Sequence, residues 1–143
     1  MVRRLTKSTE FCVLSRTENV RAVGSHLKNF CEARRVGVAE LEDIIIAVDE
    51  AVTNIMMHGY RGATDGLIEI RCRVADGVVE LRIRDSGIAF NIPCLDQLVQ
   101  KKREDCLVKG GYGLILMHRF MDCVSMCQDR ESGKNVLIMR KRF

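Results

Sequence analysis

Two segments of apolar–polar alternation, Leu67-Ile68-Glu69-Ile70-Arg71-Cys72-Arg73-Val74 and Val78-Val79-Glu80-Leu81-Arg82-Ile83-Arg84, are separated by little more than Asp76-Gly77. Strand side chains repeat with period two, so each segment puts aliphatic groups on one face and charges on the other. Asp-Gly between such runs is a strong hairpin signal. The pair therefore predicts an antiparallel ribbon with one wet face and one face that must be covered. Doubly wound folds, whose strands read as continuous apolar runs, do not fit.

The cover is supplied by segments with helical spacing. Val20, Val23, Leu27, Phe30 and Cys31 recur at three and four residues and should end near Gly37. Ser15-Arg16-Thr17-Glu18 ahead of them has the capping-box pattern, with Ser15 as N-cap. Val38-Ala39-Glu40 opens a second helix that stops at Gly59, and Gly110-Gly111-Tyr112-Gly113 introduces a third through Phe120. Strands are expected at Glu10 to Leu14, Cys123 to Gln128 and Asn135 to Arg140, the last two around a turn at Glu131-Ser132-Gly133. The stretch from Asp85 to Lys109 is long and mixed, with the sole proline, Pro93, and one short helix near Leu95 to Lys101. Such a long irregular stretch suits a binding loop or lid. The expected architecture is an α+β two-layer sandwich, a mixed, mostly antiparallel sheet with helices on one face.

Length and composition narrow the rest. At 143 residues the chain is expected to be one domain, 1–143, burying about two thirds of its unfolded surface. A net charge of +4 and only seven Phe and Tyr do not argue for direct nucleic-acid binding. The seven cysteines form no CxxC pair, and most read as small buried hydrophobes kept reduced in a cytosol. No apolar h-region follows Met1 and no run of eighteen apolar residues exists. Neither secretion nor membrane spanning is expected, and the location is read as cytoplasmic.

The second helix carries the first chemical signal. Within Asp49-Glu50-Ala51-Val52-Thr53-Asn54-Ile55-Met56-Met57-His58-Gly59-Tyr60, Glu50, Asn54 and His58 lie four apart on a segment otherwise almost wholly apolar. The plain reading is a helix edge meeting solvent, with His58 capping the helix end and Met56-Met57 in the core. The functional reading is a polar stripe facing a ligand, since an unpartnered buried carboxylate is costly. Asp85-Ser86-Gly87 at a strand end and Gly110-Gly111-Tyr112-Gly113-Leu114 at a helix start complete the set. A Gly-rich helix entry offers free N–H groups to an anion. Asn54 and Glu50 supply hard oxygens of the kind Mg²⁺ takes when phosphates complete its shell.

Glu-x-x-x-Asn, then Asp-x-Gly at a strand end, then a lid loop, then Gly-x-Gly before a helix resembles the GHKL ATP-binding superfamily. Within it, the tract from Asp49 to Asn54 with His58-Gly59-Tyr60, and Gly110 to Leu114 with Met121-Asp122, is similar to the RsbW/SpoIIAB group of anti-sigma-factor serine kinases. The resemblance spans essentially the whole chain. It implies the Bergerat ATP-binding fold, with ATP and Mg²⁺ as cofactors. It implies Glu50 as general base toward a serine hydroxyl, Asn54 as Mg²⁺ ligand and Asp85 as partner of the adenine amino group. Gly87 would leave room for the base, and Gly111 and Gly113 would let the backbone wrap the phosphates. Lys109 and His58 are further candidate phosphate contacts, each with a plainer alternative as a solvated lysine and a helix-end histidine. The chain departs from the pattern at Ile88-Ala89, where a second glycine is absent, at Phe90-Asn91 in place of Phe-Asp, and at Tyr112 where arginine is frequent.

The function so implied is an ATP-dependent protein serine/threonine kinase acting on a STAS-domain anti-anti-sigma protein. It would also hold an RNA polymerase sigma factor, and it would work as a homodimer. Two alternatives stay open: a nucleotide-gated partner-binding module with little transfer, and a switch kinase that regulates a phosphatase. A sensor histidine kinase is not expected, for want of a phospho-acceptor helix pair.

Overall fold

The computed structural model describes residues 7–89 and 112–143. Five strands, β1 (Ser8–Leu14), β2 (Leu67–Ala75), β3 (Val78–Asp85), β4 (Cys123–Gln128) and β5 (Asn135–Arg142), form one sheet in the order β1-β2-β3-β5-β4, antiparallel at every pairing. The helices α1 (Asn19–Glu32), α2 (Val38–Asn54) and α3 (Tyr112–Phe120) supply the second layer. The hairpin between β2 and β3 turns on Asp76 and Gly77, both left-handed at φ 54° and 72°, as a type I′ turn requires. Another left-handed residue, Gly133 (φ 72°), closes the turn between β4 and β5.

Alternation decides which side chains meet the helices. Ile68, Ile70, Cys72, Val79, Leu81, Ile83, Leu137 and Met139 are buried on the inner face. Against them pack Val23, Leu27 and Cys31 of α1, Ile44, Ala47, Val48, Ala51 and Val52 of α2, and Met117 of α3. The outer face carries the charges: Arg71 pairs with Glu10 (3.4 Å), Arg82 and Arg140 both with Glu80 (3.0 and 2.8 Å), and Arg84 with Asp129 (2.9 Å). Arg140 is the main reason that the Glu80 carboxyl lies below its ordinary range.

Three expectations are corrected here. Ser15 does not cap α1; the helix starts at Asn19, and its N-cap position, Glu18, makes no side-chain cap bond. The Ser15 hydroxyl instead donates to the Ala63 carbonyl (2.5 Å) and accepts from Gly66 N–H (2.9 Å), pinning the connection into β2. Cys31 and Cys72 are buried, but Cys12, Cys123 and Cys127 are exposed, because β1 and β4 turn them outward opposite Glu69, Arg140 and Val136. Met56 is core at 1% exposure whereas Met57 is 51% exposed. Met57 is turned outward within the π-helical turn Ile55–Gly59 that follows α2. The expected short helix at 95–101 lies outside the described residues.

Candidate functional site

Glu50 and Asn54 lie in the last two turns of α2, both half-buried. Four-residue spacing on a regular α-helix puts them on one side. Asp49 faces elsewhere: a Cβ placed on Gly24 of α1 would lie 3.7 Å from its Oδ1. That crowded position, with Glu50 alongside, raises the Asp49 carboxyl above its ordinary range, burial being the larger cause.

His58 lies beyond the regular part of α2, in the π-turn Ile55–Gly59. Tyr60 N–H donates to the Ile55 carbonyl, five residues back, at 2.8 Å, and Gly62 N–H reaches the Met56 carbonyl at 3.0 Å. A π-helical turn takes close to an extra residue per turn, so the α-helical spacing of Glu50 and Asn54 does not continue through His58. His58 is exposed.

The π-turn delivers Gly59 to the end of β3. A Cβ on Gly87 would lie 2.5 Å from the Gly59 carbonyl carbon and 2.9 Å from its Cα, so only glycine fits there. Ile88 N–H donates to the Gly59 carbonyl at 2.8 Å. The Asp85-Ser86-Gly87 corner is thereby locked to the end of the helix that carries Glu50 and Asn54.

Asp85 itself is 2% exposed. Its Oδ1 accepts from Gly87 N–H (2.9 Å) and from Asn135 Nδ2 (3.1 Å). Asn135 Nδ2 also donates to the Gly87 carbonyl (2.8 Å). From the other side Tyr60 Oη accepts from Ser86 N–H (2.8 Å) and donates to the Leu67 carbonyl (2.5 Å), its ring lying flat over Gly66. Asn135 and Tyr60 were missed as site residues. Tyr60 directly follows the His58-Gly59 pair and has a hydroxyl for its own signal. A lone Asn at the start of a strand carries none.

The third element is α3, which lies along α2 and holds Gly113 in its first turn. Gly111 and Lys109 lie outside the described residues. The structure thus sets Asp85 and Gly87 against Gly59, one π-turn beyond the helix that carries Glu50 and Asn54. A concavity of about 660 Å³ lies elsewhere, on the outer sheet face between Glu10, Arg71, Arg82, Arg84 and Ile138.

Among the described residues no three His, Cys, Asp or Glu side chains form a metal cage. One carboxamide and one carboxylate on a helix suit Mg²⁺, which keeps waters and takes substrate phosphates as ligands.

The profile of the histidine kinase-like ATPase domain matches residues 13–141. An anti-sigma F factor of Clostridium botulinum is 36% identical over 107 residues, covering 74% of this chain and 73% of the relative. That of Clostridium beijerinckii is 32% identical over 135 residues, 94% of this chain and 92% of the relative. That of Bacillus cereus is 32% identical over 128 residues, 89% and 86% respectively. Among solved structures, the RsbU and RsbW domains of a Mycobacterium tuberculosis protein match with a TM-score of 0.67 at 20% identity. The match covers 98% of this chain and 33% of that one, and it establishes a shared fold.

Proposed function

This chain belongs to the histidine kinase-like ATPase family, among the anti-sigma F factors, and from that premise we propose that it is an ATP-dependent serine kinase of a partner-switching system. Its substrate is a serine of a small STAS-domain anti-anti-sigma protein, and its second partner is an RNA polymerase sigma factor. The chain acts as one domain, as a homodimer and in the cytoplasm. Among the described residues no helix is long and apolar enough to cross a membrane.

The observation that carries the reading is the lock between Gly59 and Gly87. It holds the Glu50–Asn54 side of α2 in fixed relation to a buried carboxylate at the end of β3. Asp85 takes the adenine amino group, and the missing side chain of Gly87 leaves room for the base. Asn54 is the Mg²⁺ ligand, and Mg²⁺ supplies neutralisation of phosphate charge. Glu50 accepts the proton of the serine hydroxyl as its oxygen bonds to the γ-phosphorus and the bond to the ADP oxygen breaks. Phosphoryl transfer needs mainly positioning and charge stabilisation, which this equipment provides. Gly111 and Gly113 let the backbone wrap the phosphates, and Lys109 and His58 are further phosphate contacts.

Incubation of the protein with Mg²⁺ and γ-labelled ATP, with each STAS-domain protein of the source organism in turn, tests this. Label is expected on one STAS serine, and Glu50→Ala should lose transfer while still binding ATP. ATP binding without transfer to any STAS protein would replace the kinase with a nucleotide-gated binding module. No ATP binding would refute both.

A further inference from the structure

We propose that the outer face of the sheet is a docking surface for an acidic segment of a protein partner, its carboxylates held by arginines beside apolar side chains. Strand alternation turns Arg71 and Arg73 of β2, Arg82 and Arg84 of β3, and Arg140 and Arg142 of β5 to this face. Glu10, Glu69 and Glu80 are the strand carboxylates among them, so arginines outnumber acids two to one. The turn between β4 and β5 adds Asp129 and Lys134, which offset each other. The concavity of about 660 Å³ lies within this field. Arg71, Arg82 and Arg84 line it together with the half-buried Ile138, which sits opposite Arg82 on β5. A smaller hollow of about 140 Å³ adjoins it between Arg71, Arg73, Glu80 and Arg82. The face is on the far side of the sheet from the helices that carry Glu50 and Asn54, so it stands or falls apart from the nucleotide site.

The arginines are arranged for a carboxylate ligand at some cost to the fold. Arg71 and Arg82 lie directly opposite each other in the β2–β3 register, and like charges so placed on one face are destabilising. Each meets its own acid through Nε alone, Arg71 with Glu10 at 3.4 Å and Arg82 with Glu80 at 3.0 Å. Their terminal NH₂ groups make no hydrogen bond among the described residues. Glu80 also accepts from Arg140 Nε (2.8 Å), so one carboxylate orients two guanidiniums. Arg73 and Arg142 have no ion pair among the described residues. A guanidinium with its terminal nitrogens unengaged grips a carboxylate by two parallel bonds. The interspersed glutamates would repel a continuous phosphate backbone. Stacked bases find no platform either, since the single aromatic lining the concavity, Phe11, packs against the core. A second copy docked face to face would set arginines against arginines, which is unfavourable. An acidic segment with an apolar side chain between its carboxylates matches both the charge and Ile138, and arginine at an apolar patch is the usual make-up of protein interfaces.

Fluorescence anisotropy with a short labelled peptide of glutamates around one leucine tests this. The proteins compared are the wild type, Arg71→Gln/Arg82→Gln, Arg73→Gln, and a charge-matched control on α1, Arg21→Gln/Lys28→Gln. Affinity is expected to fall about tenfold or more in the double variant on the sheet, by less in Arg73→Gln, and to hold in the control. The same peptide with glutamine for glutamate should not bind. Thermal unfolding checks each fold, and Arg73, exposed and without an ion pair, carries the test alone should the double variant not fold. No binding to the wild type, undiminished binding in the sheet variants, equal loss in the control, or binding of the glutamine peptide overturns the proposal. Inorganic polyphosphate that binds more tightly than the peptide and is lost in the same double variant would make the face a polyanion site and overturn it. A wild-type dimer that dissociates in the double variant would put a second copy on this face and overturn it as well.

Discussion

A methyl group at Gly87 would have to enter the backbone of Gly59, 2.5 Å away. Backbone cannot swing aside as a side-chain tip can, so Gly87→Ala must part α2 from β3. Overpacking of this kind costs about 1–3 kcal/mol, to be measured as a lower urea midpoint at unchanged m-value. ATP binding should fall with it, because the same displacement separates Asp85 from Asn54. Asp49 offers a test of opposite sign. Its carboxyl is raised by burial against α1 and by Glu50, so the folded chain binds a proton more tightly there than the unfolded chain. Stability from this group is present at pH below the ordinary carboxyl value. It declines as pH rises through the raised one and stays lower above it. Asp49→Asn should therefore melt higher than wild type at pH 7, with the gain vanishing in acid. A melting temperature at pH 7 equal to or below wild type would refute the burial argument.

At the scale of elements, the short connections do much of the positioning. Ser15 joins the end of β1 to the loop entering β2 through Ala63 and Gly66. Ser15→Ala should cost about 1–3 kcal/mol by leaving a buried group unpaired, and amide exchange should accelerate at Gly66. Protection of the first turn of α1 should stay as it was, whereas a capping role would expose that turn instead. The other end of the helical layer is tied by Lys141 on β5. Its ammonium donates to the Phe120 carbonyl at the end of α3 (2.7 Å) and pairs with Asp43 on α2 (3.0 Å). Its side chain is only 16% exposed, so little solvent screens the pair. A cation at a helix C-terminus also complements the helix dipole. The capping-box reading failed because the residues from Ser15 to Glu18 fit the pattern locally, while the hydroxyl found partners some fifty residues away. Strand boundaries did far better. The pairs Leu67–Ala75 with Val78–Asp85 and Cys123–Gln128 with Asn135–Arg142 match their sequence-based ranges to within two residues.

For the whole molecule, ligand binding should appear as stability. At Mg²⁺·ATP concentrations a hundredfold above the dissociation constant, a ligand bound only by the folded state adds about 2.7 kcal/mol. Thermal unfolding with and without Mg²⁺·ATP measures this, and Asn54→Ala should abolish the shift; an equal shift in that variant would remove Asn54 from the site. The sequence by itself determined the layers. Period-two alternation and Asp76-Gly77 specify the hairpin, helical spacing specifies the cover, and both are set by neighbours a few residues apart. It also determined which residues were candidates, since Glu50, Asn54, Asp85 and Gly87 stand out by type and order. Only the tertiary structure decided how they meet. The π-turn that carries His58 is closed by Tyr60, held in turn by Ser86 and Leu67. The donor that completes Asp85 comes from Asn135, because the sheet order sets β3 beside β5 and the register places residue 85 opposite 135. Contacts of that range leave no periodic trace in a single chain, since nothing near Asn135 in sequence differs for its being there.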